Sequence, residues 1–230
     1  MLREMPFEPP AGDPRDQKTY YFAMTPLRRV VTPTIRAGFW TIARLKPEGI
    51  ENLPRRGAVI LAANHLTSYD VIPLQLCLPR PIFFMGKAEL FRPGLLDAGL
   101  RRMGGFPVHR GAQDEWALKH AERVLQHGQV LGMFPEGTRS KGRGLKPAKS
   151  GIARLAIASS SPIVPAAIHG TQYMFRHFPQ RTPVRIALGE PIYAERGETA
   201  IGLTERVMFA LAELLPPEQR GAYRQRPAGF

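Results

Sequence analysis

The sequence predicts an α/β layered fold, a mostly parallel or mixed sheet flanked by helices, preceded by an N-terminal amphipathic helical segment. Three observations predict it. Short apolar runs free of charge recur along the chain, stretches with apolar residues at helical spacing alternate with them, and polar residues able to do chemistry follow two of the runs directly. Ligands of open α/β sheets bind at the carboxyl ends of strands. Residues just after such runs are therefore the first candidates for a site.

Residues 1–18 hold Pro6, Pro9, Pro10 and Pro14 among charged residues and are expected to form a disordered N-terminus, without the apolar centre of a signal peptide. In residues 19–45, Leu27, Val31, Ile35, Phe39 and Ile42 form a helical stripe with Trp40 beside it, and Arg28, Arg29, Arg36 and Arg44 are interspersed. Pro26 and Pro33 start or kink the helices. No window reaches the roughly 18 consecutive apolar residues that span a bilayer. The stripe either packs on the domain or lies in a membrane interface with its arginines on anionic head groups. Membrane association is the reading adopted.

Residues 46–215 form the main domain. Ala58 to Ala63 reads as a strand buried on both faces, and Val71 to Leu78 as the helix that follows. Further strands are expected near 81–86, 105–109, 129–134, 162–168 and 183–188. Trp116, Ala117, Ala121, Val124 and Leu125 mark a helix over 113–127, and Val207, Leu211, Leu214 and Leu215 another over 203–215. Residues 216–230 mix proline, glycine and arginine without an apolar period and read as a flexible tail.

With 230 residues, 43% of them hydrophobic, the chain can bury a substantial core. Its single cysteine, Cys77, lies in an apolar stretch and has no partner for an internal disulfide, so a reducing compartment is the default. Thirty-two Lys and Arg against 19 Asp and Glu leave a charge of +13, which attracts polyanions. A nucleic-acid-binding module is the competing class, but zinc-ligand spacing and basic stretches interleaved with aromatics are lacking. An anionic membrane surface is the expected partner.

Two segments carry chemistry. Asn64-His65-Leu66-Thr67-Ser68-Tyr69-Asp70 sets a histidine five positions before an aspartate where strand gives way to helix. An imidazole held by a carboxylate is a general base able to take a proton from a hydroxyl. Alternatively, Thr67 and Asp70 are only a helix-start signature. Phe134-Pro135-Glu136-Gly137-Thr138-Arg139-Ser140 follows another apolar run, and Lys141, Arg143, Lys146 and Lys149 lie beyond it. Such a loop suits an anion, phosphate above all, or is a solvated basic surface.

Taken together, Asn64-His65-x4-Asp70 and Phe134 to Arg139 resemble the motifs of the glycerolipid acyltransferase family, typified by acylation of 1-acyl-glycerol-3-phosphate. Gly104 to Arg110 and Ile163 to Ile168 resemble two further blocks of that family, and the likeness covers roughly residues 46–190. His109 departs from it, standing where the family usually has aspartate. The resemblance implies transfer of a fatty acyl group from a thioester, on coenzyme A or acyl carrier protein, to the sn-2 hydroxyl of lysophosphatidic acid, with no bound cofactor and no metal. His65 would be the base and Asp70 its orienting partner. Lys87, Arg110, Glu136, Gly137, Thr138 and Arg139 would bind substrate, Arg139 on the acceptor phosphate and the Gly137 N–H toward the oxyanion. It also implies a peripheral or monotopic protein on the cytoplasmic face of the membrane. Another lysophospholipid, glycerol 3-phosphate or a lyso-aminolipid remains an open alternative acceptor, and an inactive lipid-binding relative a more remote reading.

Overall fold

The computed structural model describes residues 12–109, 114–176 and 179–226. In chain order the elements are α1 (Pro26–Ile42), β1 (Ala43–Glu48), β2 (Val59–Ala63), α2 (Val71–Cys77), β3 (Ile82–Lys87), α3 (Leu95–Arg102), β4 (Gly105–Val108), α4 (Glu115–Gln126), β5 (Val130–Met133), α5 (Gly151–Ser159), β6 (Ile163–His169), β7 (Thr182–Leu188) and α6 (Ala200–Glu213). They build a seven-stranded sheet ordered β1-β7-β6-β2-β5-β3-β4. All neighbouring strands are parallel except β6 and β7, so the sheet is mixed, as the sequence predicts.

β2 lies inside the sheet between β5 and β6 and is buried along its whole length, which explains its lack of polar side chains. Val59, Leu61 and Ala63 face a core that includes Phe39 of α1 and Leu74 and Leu76 of α2. Ile60 and Ala62 face the opposite core, with residues of α4, α5 and α6. Because β2, β5 and β6 run parallel, their carboxyl ends emerge together at one edge. The segments after β2 and β5 are the two that the sequence marks for chemistry.

Three elements escape the sequence reading. β1 is an edge strand of sequence Ala-Arg-Leu-Lys-Pro-Glu, whose charges and Pro47 an edge tolerates but an interior strand does not. α3 is short and carries a glycine, while α5 is apolar around much of its circumference, so neither gives a clean stripe.

The ends are tied down further than composition indicates. Residues 13–18, expected to be disordered, contain the 3-10 turn Pro14–Gln17, because Arg15 forks onto Asp114 at 2.6 and 2.9 Å and Asp16 accepts from the Trp116 indole at 2.8 Å. Residues 1–11 lie outside the described residues. The expected tail forms two short turns, Pro217–Gln219 and Gly221–Tyr223. Tyr223 anchors it, buried against Phe209 with its hydroxyl accepting from the Ala148 N–H at 3.0 Å. One buried aromatic outweighs the unfavourable composition around it.

α1 begins at Pro26, as the sequence predicts; Thr25, which the sequence reading did not name, caps it, and the helix runs on through Pro33. Arg28 is fully buried, donates to the Met103 carbonyl and lies over the Phe83 ring at 5.0 Å, so it fastens α1 to the turn between α3 and β4. Leu27, Val30, Ile35 and Trp40 remain exposed, while Phe39 enters the core. Among the described residues, no helix is long and apolar enough to cross a membrane. Cys77 is partly buried, and burial pushes its thiol up to about 11, away from a nucleophilic role.

Candidate active site

The strand-to-helix turn after β2 brings His65 back onto Asp70. Nδ1 of His65 stands 2.8 Å from Oδ2 of Asp70. The same oxygen accepts the N–H groups of Leu66 and Thr67 at 2.7 and 2.8 Å, and Oδ1 accepts the hydroxyls of Thr67 at 3.0 Å and Thr171 at 2.7 Å. Asp70 is wholly buried, so these donors replace the water that a carboxylate loses. With Oδ2 surrounded by donors, the proton of the shared contact belongs to Nδ1 of His65, which leaves Nε2 as the ring's acceptor. Such a ring can take a proton from a hydroxyl.

Two contacts hold the turn from neighbouring strands. Asn64, buried at the end of β2, pairs its side-chain amide with the backbone of Ile168 in β6 at 2.9 and 2.7 Å. Glu136, after β5, accepts the His65 N–H at 2.8 Å and the Lys146 N–H at 3.0 Å. Burial pushes the Glu136 carboxyl above its ordinary range, against the opposing pull of those two donors. Glu136 thus acts on the backbone under His65. The His65 ring stacks on Phe134 with centroids 4.1 Å apart, and Phe134 stacks on Phe84 at 5.7 Å.

The other sequence-marked residues divide. Arg139 reaches back to the hydroxyl of Ser68 at 2.5 Å and is exposed beside the His65 turn. Lys146 bridges the Thr138 hydroxyl at 3.1 Å and the Arg139 carbonyl at 2.8 Å. Gly137 adopts a left-handed φ of 68°, as a tight turn requires, but its N–H donates to the Phe134 carbonyl at 2.9 Å. That hydrogen bond closes the turn and corrects the expectation that this N–H faces an oxyanion. Lys87, at the end of β3, pairs with Glu89 at 2.9 Å and is exposed. Arg110 lies outside the described residues. The sequence reading includes Asn64 and Ser68 as members of the His65 segment without a role of their own, and it does not mark Thr171.

Two cavities meet this edge. A cleft of about 480 Å³ is lined by His65, His109, Phe134, Gly137, Thr138 and Lys149, among others, and among the described residues no carboxylate lines it. An apolar cavity of about 290 Å³ lies between α1, α2 and the β3–β4 edge, with Ile35, Ile72, Phe84 and Leu100 in its wall and Ser68 at its rim. Met85 lines both. Among the described residues, no group of three or more His, Cys, Asp or Glu side chains is placed to hold a metal ion.

Residues 44–169 match the acyltransferase family, a span that contains His65, Asp70 and Glu136. The chain is 32% identical over 144 residues to the 1-acyl-sn-glycerol-3-phosphate acyltransferase of Bacillus subtilis (strain 168), covering 62% of this chain and 71% of that protein. It is 33% identical over 119 residues to the protein of the same name from Escherichia coli (strain K12), covering 50% of this chain and 48% of that protein. Its fold matches the crystal structure of the 1-acyl-sn-glycerophosphate (LPA) acyltransferase PlsC of Thermotoga maritima with a TM-score of 0.64 and 27% identity, over 82% of this chain and 79% of that one. With the family matched across the central strands and the His65 turn, the chain belongs to the acyltransferase family and is an O-acyltransferase.

Proposed function

We propose that this enzyme transfers a fatty acyl group from a thioester donor, acyl-coenzyme A or acyl carrier protein, to the sn-2 hydroxyl of lysophosphatidic acid, giving phosphatidic acid. The observation that carries this reading is the His65–Asp70 pair, with Asp70 wholly buried and His65 lining a cleft that shares Met85 with an apolar cavity. One space suits a phosphorylated glycerol and the other a hydrocarbon chain. The names of the relatives agree with that acceptor.

In this mechanism Nε2 of His65 takes the proton of the sn-2 hydroxyl as its oxygen attacks the thioester carbonyl. Asp70 keeps the ring oriented and stabilises the imidazolium that forms. The tetrahedral intermediate collapses with release of the thiolate, to which His65 returns the proton. Glu136 holds the His65 backbone in register. Arg139, with its planar fork beside the His65 turn, pairs with the acceptor phosphate.

The exposed Leu27, Val30, Ile35 and Trp40 of α1, near arginines, support peripheral binding to an anionic membrane with the apolar cavity toward the lipid. The cytoplasmic face is the side on which an acyl-coenzyme A or acyl carrier protein donor is at hand.

The test is an acceptor panel with palmitoyl-coenzyme A and palmitoyl carrier protein as donors, following free thiol and lipid product. Lysophosphatidic acid should be the preferred acceptor, and Arg139→Ala should raise its KM while narrowing its advantage over the dephosphorylated monoacylglycerol. An Arg139 variant that separates the two as well as the parent contradicts the phosphate assignment.

A further inference from the structure

His109 and His65 line the same cleft, and His109 is held there by a residue of the N-terminal segment. β4 is an edge strand paired only with β3, so its last residues lack a second strand to fix them. Arg15 supplies that support. Its Nη1 donates to Oδ2 of Asp114 at 2.6 Å and its Nη2 to Oδ1 at 2.9 Å, and Nη1 also reaches the Pro107 carbonyl of β4 at 3.5 Å. Asp114 Oδ2 accepts the backbone N–H of His109 at 2.8 Å, while Oδ1 caps α4 by accepting the Ala117 N–H at 3.0 Å. One carboxylate thus joins the end of β4 to the start of α4.

Arg15 is itself pinned. Asp13 accepts from its Nε at 2.9 Å and its Nη2 at 2.6 Å, and its guanidinium lies 4.3 Å from the centre of the Trp116 ring. Burial works against ionisation of Asp114, but the Arg15 fork and the His109 and Ala117 N–H groups outweigh it and hold the carboxyl below its usual range. Without Arg15, the Asp114 charge loses its cation at a site only 4% exposed. Its easiest relief is to turn toward water, and that frees the His109 N–H. An ångström of displacement in a positioning group is enough to weaken productive binding.

The cleft shows what His109 can recognise. Among the described residues, its nitrogen-bearing side chains are His65, His109 and Lys149, and no carboxylate lines it. His65 is committed through Nδ1 to Asp70, so among the described residues His109 and Lys149 are the side chains of the cleft left to donate to an anion. We propose that His109 is an acceptor-binding residue that contacts the phosphate of the lysophospholipid from the cleft side, and that Arg15 is its positioning residue, acting through Asp114. The N-terminal segment then belongs to the substrate-recognition machinery. This inference rests on the lysophosphatidic acid reading for the identity of the anion, whereas the link from Arg15 to His109 does not.

A kinetic double-mutant cycle on the full chain tests it, with Arg15→Met, His109→Ala and the double variant checked for folding by thermal melts. Each single change should raise the KM for lysophosphatidic acid about tenfold, as loss of one charge-assisted hydrogen bond does, with kcat and the donor KM little moved. The double variant should be no worse than the worse single. Multiplied effects, or an unchanged acceptor KM in His109→Ala, would overturn the proposal. If Arg15→Met does not fold, Arg15→Lys keeps the charge without the fork and should give an intermediate KM; parent-like KM in that variant contradicts the need for the fork. A parallel titration of glycerol 3-phosphate into protein with ¹⁵N-labelled histidine reads binding without turnover. A perturbed His109 signal, lost in the Arg15 variant, supports the link even if lysophosphatidic acid proves not to be the acceptor. An unperturbed signal in the parent overturns the phosphate contact, and a signal perturbed alike in parent and Arg15 variant overturns the link.

Discussion

Asp70 and His65 are joined at 2.8 Å between Oδ2 and Nδ1, and the Asp70 carboxylate collects four further hydrogen bonds from Leu66, from the N–H and hydroxyl of Thr67, and from Thr171. Asp70→Asn keeps the shape but places an amide N–H among groups that are themselves donors. It should lower kcat by about a thousandfold or more by spoiling the ring's tautomer, with a smaller change in acceptor KM. Steady-state kinetics beside a thermal melt separates this from unfolding. Near-normal kcat in a folded Asn variant contradicts the orienting role.

Gly132 of β5 lies under the aromatic stack that backs His65. A Cβ at that position would collide with the ring of Phe84, which stacks on Phe134, which in turn stacks on His65. Gly132→Ala must therefore displace Phe84, with a stability loss of about 1–3 kcal/mol for overpacking. Turnover should fall at temperatures where the variant remains folded, and a crystal structure should show the His65 ring moved. An active variant with Phe84 in place contradicts the coupling.

His120 sits buried in an aromatic nest, 4.5 Å from Tyr20, 4.7 Å from Phe106 and 4.9 Å from Trp116 between ring centroids. Burial, aided by the charge of Arg123, pushes its pKa down to about 4. The folded state resists protonation while the unfolded chain, near 6.5, accepts it. Its stabilising contribution is whole above about pH 6.5 and is lost as pH falls through that window toward 4, by roughly 3 kcal/mol at most. His120→Phe should flatten the dependence of urea unfolding on pH between those limits. The same slope in the variant assigns acid loss to other groups.

Val30 and Trp40 are exposed on α1. Changing both to serine should weaken sedimentation with anionic vesicles while leaving the melting temperature within a few degrees, because neither belongs to the buried core. Unchanged sedimentation places the membrane contact on another surface.

What the sequence made legible is what is local. The run Ala58 to Ala63, the turn to His65 and the return to Asp70 lie within one strand-turn-helix unit, so pattern and chemistry coincide there. The rest depends on partners far along the chain. Thr171 comes from the end of β6, and Asn64 bonds the backbone of Ile168, because the sheet order sets β6 beside β2. The Arg15–Asp114 fork was hidden inside a segment whose prolines and charges favoured disorder. Gly137 carried a real signal, its left-handed backbone, but the freed N–H closes a turn. Edge strand β1 resembles a loop, since only one side of it needs to pair.

The most direct measurement is turnover by His65→Ala in the palmitoyl thioester and lysophosphatidic acid assay, with acceptor binding measured on the same folded protein. The account predicts that acceptor-dependent thiol release falls by about three orders of magnitude or more while the acceptor's Kd stays within a fewfold of the parent value. Thiol release and phosphatidic acid formation at the parent rate in that variant would contradict the claim that His65 is the base.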